Sequence, residues 1–135
     1  MGKLNEFREL FAHLPLKLES LKDQDVAEDV EETGSTMEEN ATLKAQTYAK
    51  LCDMPTLADD SGLEVEALGG APGPFSKRYA GPNASDQDRI DYLLFQLKEV
   101  PWESRNAQFR SVISLVDRGE EILQCQGICH GKIAL

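Results

Sequence analysis

The hydrophobic pattern changes period several times along this chain. Leu4, Phe7, Leu10, Phe11 and Leu14 recur at helical spacing and Pro15 stops the run, which predicts a first helix starting at residue 3. Leu16, Leu18 and Leu21 then alternate with Lys17, Glu19, Ser20 and Lys22, a pattern that predicts a short strand. Ser35 with Glu38, or Thr36 with Glu39, has the spacing of a capping box, so a helix should begin there. Its interior, from Asn40 to about Leu51, is rich in Ala, Leu and Lys, and Met54-Pro55 ends it. Thr56-Leu57-Ala58 reads as a short strand running into a turn at Asp59-Asp60-Ser61-Gly62, followed by an alternating segment at Leu63, Val65 and Ala67. Gly and Pro between Leu68 and Pro74 make a loop. Ser85 should cap a helix whose apolar face is Ile90, Leu93, Leu94 and Leu97, closed by Pro101. Residues 106–116 read as a strand, with Ala107, Phe109 and Ile113 on one face, Val112 and Val116 on the other, and both faces covered. Asp117-Arg118-Gly119-Glu120 is a hairpin turn, with residues 121–129 as the returning strand. The expected fold is α/β, a mixed elongated sheet flanked by helices, in one domain over residues 1–135.

Composition narrows the classes of function. Apolar residues make up 41%, enough for a core, but no run approaches the ~18 residues of a membrane span. Met1-Gly2-Lys3-Leu4-Asn5-Glu6 is not followed by the apolar stretch of a secretory leader. The net charge of -10 disfavours binding to nucleic acid or to an anionic membrane. Cys52, Cys125 and Cys129 are odd in number and irregularly spaced, which argues for a reducing compartment such as the cytoplasm.

The candidate chemistry is acidic. No Lys or Arg falls between Lys22 and Lys44, and this stretch carries Glu31 and Glu32 just before the capped helix. Mg²⁺ takes oxygen ligands, often one or two carboxylates completed by water and phosphate. Glu31 or Glu32 is placed to supply one carboxylate, and Asp60, at the end of its short strand, another. Asp59 and Asp60 repel each other if held in one place, which points to a nearby cation. Ser61 and the backbone at Gly62 could donate to phosphate oxygens. Phe75, Lys77 and Arg78 beside the Gly-Pro loop suit a nucleotide by stacking and charge, although the loop lacks the ending of a P-loop. Lys3, at the start of the first helix, is a weak anion-binding signal. His13 and His130 have no partner at metal-ligand spacing, and no Ser-His-Asp or Cys-His pattern emerges.

Several blocks, in order, resemble the inosine triphosphate pyrophosphatase family. They are Gly2-Lys3-Leu4-Asn5-Glu6-Phe7, Glu31-Glu32-Thr33-Gly34 with Glu39-Asn40-Ala41 and Leu43-Lys44-Ala45, and Ala58-Asp59-Asp60-Ser61-Gly62-Leu63. Leu68-Gly69-Gly70-Ala71-Pro72-Gly73 with Ser76, Arg78 and Tyr79 follows, then Ala107-Gln108-Phe109-Arg110 and residues 127–131. The resemblance implies Mg²⁺-dependent hydrolysis of ITP, dITP or XTP to the monophosphate and pyrophosphate, by a homodimer. It implies Glu31 and Asp60 as metal ligands, Asp60 also as the base-like catalytic carboxylate, and Lys3 and Ser61 as substrate contacts.

The chain departs from the family pattern at both ends. The family's first strand with its Thr/Ser-x-Asn turn does not precede Gly2-Lys3, and its Phe-Gly-Tyr-Asp-Pro and Ser-His-Arg blocks do not occur. A second expectation follows from that: a catalytically impaired member acting only through dimer contacts.

Overall fold

The computed structural model describes residues 2–135. Three strands form one sheet in the order β1 (Thr56–Val65), β2 (Asn106–Asp117), β3 (Glu120–Lys132), with both pairings antiparallel. Three α-helices accompany it: α1 (Gly2–Leu10), α2 (Met37–Cys52) and α3 (Asp86–Gln96). The chain is thus α/β, with helix α2 packed on the sheet, and the pairings among the described strands are antiparallel rather than mixed.

Helix α2 starts where the capping residues place it. Thr36 is its N-cap, and Thr36 Oγ1 accepts the Glu39 N–H at 3.1 Å. Glu39 Oε2 reaches back one residue further than a simple capping box, accepting the Ser35 N–H at 2.8 Å. Asp53 ends the helix in the left-handed region. One stripe of α2 then covers one face of the sheet. Met37 and Ala41 pack on Val112, and Ala45 and Ala49 pack on Val116 and Ala58. The alanines let the helix axis lie close to the strands, and each buried valine contributes roughly 1.5–3 kcal/mol. Arg110 ties the same layers by charge: it bridges Glu38 of α2 and Glu64 of β1, and the guanidinium holds the Glu38 carboxyl below its usual range.

Four sequence expectations change. The first helix ends at Leu10, and Leu14 lies beyond it in a bend. Residues 16–20 form no strand: no neighbouring chain pairs with them, and alternation alone cannot supply ladder hydrogen bonds. Only one face of β2 is covered. Val112, Ser114 and Val116 are buried under α2, whereas Phe109 on the other face is 64% exposed. The fourth change concerns Asp59-Asp60-Ser61-Gly62, which is not a turn but the middle of β1. All ten β1 residues pair with β2, from Thr56↔Val116 to Val65↔Ala107. Local turn propensity is outweighed by a full ladder with a partner about fifty residues away.

The β2–β3 hairpin is as predicted. Arg118 and Gly119 both have positive φ, 52° and 81°, the requirement of a two-residue type I′ turn. Helix α3 carries the full Ser85–Asp88 capping box. Its end is fixed by Arg105, which is 5% exposed and donates to the carbonyls of Leu97, Val100 and Ala134 at 2.8, 2.9 and 3.1 Å. Removing it leaves three carbonyls short of a charged donor. Arg105→Ala is therefore expected to cost roughly 3 kcal/mol, read as a lower urea midpoint at unchanged m-value.

Candidate active site

Strand alternation decides the site. Asp60 stands opposite Val112 and shares the face under α2. Asp59 stands opposite Ile113, on the other face. The two carboxylates therefore point to opposite sides of the sheet, and their adjacency in sequence does not require a shared cation.

Asp60 is 3% exposed. Its Oδ1 lies 3.5 Å from Lys44 Nζ, while its Oδ2 has no hydrogen-bond partner among the described residues. Lys44, from the middle of α2, also lies 3.0 Å from Glu32 Oε1 and donates to the Asp59 carbonyl. One ammonium thus gathers the acidic loop, the helix and the strand. Burial pushes the Asp60 carboxyl above its ordinary value; Lys44 opposes that rise and Glu32 adds to it.

The basic end of the Gly-Pro loop arrives at the same place. Residues Gly73–Arg78 form a 3₁₀ helix, with Ser76 Oγ accepting the Leu63 N–H at 3.1 Å and donating to the Gly73 carbonyl at 2.7 Å. That bolts the loop to β1. Arg78 then donates to the Glu32 carbonyl at 3.3 Å, and Lys77 Nζ sits 3.8 Å from Glu32 Oε1. Arg78 also lies over the half-exposed Phe75 ring, 5.4 Å from its centroid.

Of the residues singled out in the sequence, Asp60 is at the centre of this cluster, in mid-strand rather than at a strand end. Glu31 is exposed and makes no side-chain contact that joins it to Asp60; its neighbour Glu32 occupies that position. Lys3 and Ser61 come together on the opposite face of β1. Lys3 pairs with Asp59, and Ser61 Oγ lies 3.1 Å from Asp59 Oδ2 and 2.9 Å from Ser111 Oγ. Asn40 and Lys44 lie in the family blocks, but the sequence reading assigned neither of them a role in the site. A lysine in an Ala- and Leu-rich helix looks the same whether it faces water or a carboxylate pair. The signal available for Lys44 was its spacing of one helical turn from Asn40 on a helix that must bury one face.

The donor set suits a hard cation. Asp60 offers a buried oxygen without a partner, and Glu32 a second carboxylate linked to it through Lys44. Among the described residues no group of three or more His, Cys, Asp or Glu forms a cage. A hard cation needs no such cage where one or two carboxylates are completed by water and phosphate, so Asp60 and Glu32 are the residues that could hold one.

This constellation sits within a match to a known family model that runs from residue 1 to 135, that of the Ham1 family. The chain belongs to the Ham1 family. It is 44% identical over 132 residues to the dITP/XTP pyrophosphatase of Halalkalibacterium halodurans, covering 98% of this chain and 68% of that protein. It is 41% identical to the dITP/XTP pyrophosphatase of Bacillus subtilis, covering 98% of this chain and 67% of that one. Among solved structures it matches a HAM1 protein from Coxiella burnetii at TM-score 0.90 and 44% identity, over 98% of this chain and 68% of that one. The Staphylococcus aureus Ham1 protein matches at TM-score 0.87 and 43% identity, over 99% and 68%. The chain therefore spans about two thirds of the length of these relatives, and its fold is that of the corresponding part of theirs.

Proposed function

We propose that this Ham1-family chain hydrolyses non-standard purine nucleoside triphosphates, ITP, dITP and XTP, to the monophosphate and pyrophosphate. The carrying observation is the buried, half-partnered Asp60 beside Glu32 and Lys44, in a chain 44% identical to a relative named dITP/XTP pyrophosphatase. The proposal includes Mg²⁺ as cofactor, a homodimer, and a cytoplasmic location in which such nucleotides are cleared from the precursor pool. No described helix is long and apolar enough to cross a membrane.

Attack by water on the α-phosphorus forms one P–O bond and breaks the bond to the bridging oxygen, so that pyrophosphate leaves and one proton must be removed. Asp60 is the acceptor for that proton. Its raised affinity for a proton, caused by burial, suits a base better than an ordinary surface carboxylate. Lys44 keeps Asp60 and Glu32 from repelling each other, and Lys77 and Arg78 bring positive charge to the same edge. The family resemblance gives Lys3 and Ser61 to the phosphates of the substrate; both lie across the sheet from Asp60, so this role requires Lys3 to leave Asp59 and the triphosphate to pass the edge of β1. Asp60 and Glu32 would hold Mg²⁺; Glu31, implied by the family resemblance, is adjacent in the chain but exposed. When bound, Mg²⁺ supplies neutralisation of the triphosphate and of the pyrophosphate as it leaves.

The test is turnover of dITP and XTP by EDTA-treated protein as Mg²⁺ is restored, with products separated by ion exchange. Pyrophosphate and monophosphate should appear in equal amounts and only with the metal. Orthophosphate as the primary product, or undiminished turnover in EDTA, would reject the proposal.

A further inference from the structure

Asn40 is fully buried in the first turns of α2, next to the acidic loop. Its Oδ1 accepts the Gly34 N–H at 2.8 Å. Gly34 lies so close that a Cβ there would fall 2.6 Å from Asn40 Oδ1. The other end of the amide, Nδ2, has no hydrogen-bond partner among the described residues, and neither does Asp60 Oδ2. Asn40 lies one helical turn before Lys44, which reaches Asp60, on the buried face of α2 that covers Val112 opposite Asp60, so a buried donor and a buried acceptor are left over on the same packed layer; they are complementary, and each alone would be costly.

We infer that Asn40 is a positioning residue, with Nδ2 orienting the Asp60 carboxylate while Oδ1 anchors Gly34, two residues after Glu32. One planar amide thereby sets the distance between the acidic loop and the strand carboxylate. Lys44 joins the same two groups by charge, through a long flexible stem. The amide does so by geometry, and it adds no charge to compete with a cation. The inference rests on the pyrophosphatase reading for its catalytic meaning, but not for its structural content.

Asn40→Asp separates the two ends of the amide. It keeps an oxygen for Gly34 and replaces the donor facing Asp60 with a second carboxyl group. For dITP, kcat should fall about 10- to 100-fold, as is usual for partners that orient a site group, with KM changed less than about threefold. In urea unfolding, Asn40→Asp should lower the midpoint of the wild type and leave that of Asp60→Asn unchanged, because the amide created by the second substitution can donate to the new carboxylate. Equal losses in both backgrounds, or no loss in either, would overturn the inference, as would an unchanged kcat. Should Asn40→Asp fold only in the Asp60→Asn background, that is the expected coupling in its extreme form; failure to fold in both overturns it. The unfolding arm needs no turnover. A chain that cleaved no dITP would sink the functional reading, while the urea cycle would still decide whether Asn40 holds Asp60.

Discussion

Asp60→Asn is expected to reduce pyrophosphate release from dITP by about 100- to 10,000-fold, the range for loss of a general base. The same substitution should make the protein more stable at neutral pH. In the folded chain burial raises the affinity of the Asp60 carboxyl for its proton; in the unfolded chain it titrates near the ordinary value of about 3.9. Between those two values the native state holds more protons than the unfolded state, so stability falls as pH rises through that window. An amide at this position has no such fall. In metal-free buffer the variant should therefore melt above the wild type at pH 7, and the gap should close as pH drops below the unfolded-state value. Thermal scans of both proteins in EDTA across that range check the sign. A variant that lost stability at pH 7 and activity together would mean that Asp60 is a structural anchor through Lys44. This combination of lost activity and gained stability separates a strained functional carboxylate from an ordinary buried ion pair.

Gly62→Ala is expected to cost at least about 4 kcal/mol or to prevent folding, the scale reserved for severe overpacking. A Cβ at Gly62 would lie 2.2 Å from the Gly73 carbonyl oxygen and 2.6 Å from Met37 Cε. Met37 has rotamers to move into, but the Gly73 carbonyl is backbone and already accepts from Ser76. The collision would push the 3₁₀ helix Gly73–Arg78 away from β1, and with it the Lys77 and Arg78 contacts to Glu32. Any folded fraction should therefore also lose turnover. Gly127→Ala is the matched control: its Cβ would meet nothing within 4 Å, and its effect should stay within about 0.5 kcal/mol. Urea unfolding of both variants gives the comparison. Equal small effects would show that the Gly-Pro loop is not held against β1 in solution.

These two residues also mark what could be read in the sequence and what could not. The start of α2 was legible because Thr36, Ser35 and Glu39 act through hydrogen bonds a few residues apart. The β2–β3 hairpin was legible because Arg118-Gly119 must take positive φ wherever it occurs as such a turn. The middle of β1 was not. Asp59-Asp60-Ser61-Gly62 has the composition of a turn, and only pairing with β2 and the close approach of Gly73 make it a strand. Gly62 is a glycine for space, not for turning. The same error placed Asp59 and Asp60 together, where alternation sends them to opposite faces. The choice between Glu31 and Glu32 had no periodic signal, since both lie in an irregular loop. Lys44 and Lys77 reach Glu32, and that contact with the Asp60 cluster is the ground on which Glu32 is proposed. Asp60 was singled out both from its supposed place at a strand end and from the family blocks, and the structure shows it as a buried carboxylate with one oxygen unpartnered, which suits the proposed role.

The central claim is that this chain cleaves the α–β bond of a triphosphate carrying a non-standard purine. Rapid-quench turnover of dITP and of dGTP by the unmodified chain, in Mg²⁺ and at equal concentrations, tests it most directly. The account predicts dIMP and pyrophosphate in equal amounts, with dGTP cleaved at least about tenfold more slowly, since one exocyclic amine separates the two bases and a contact of that size is worth about 1–3 kcal/mol. Formation of dIDP and orthophosphate, or equal rates for dITP and dGTP, would contradict it.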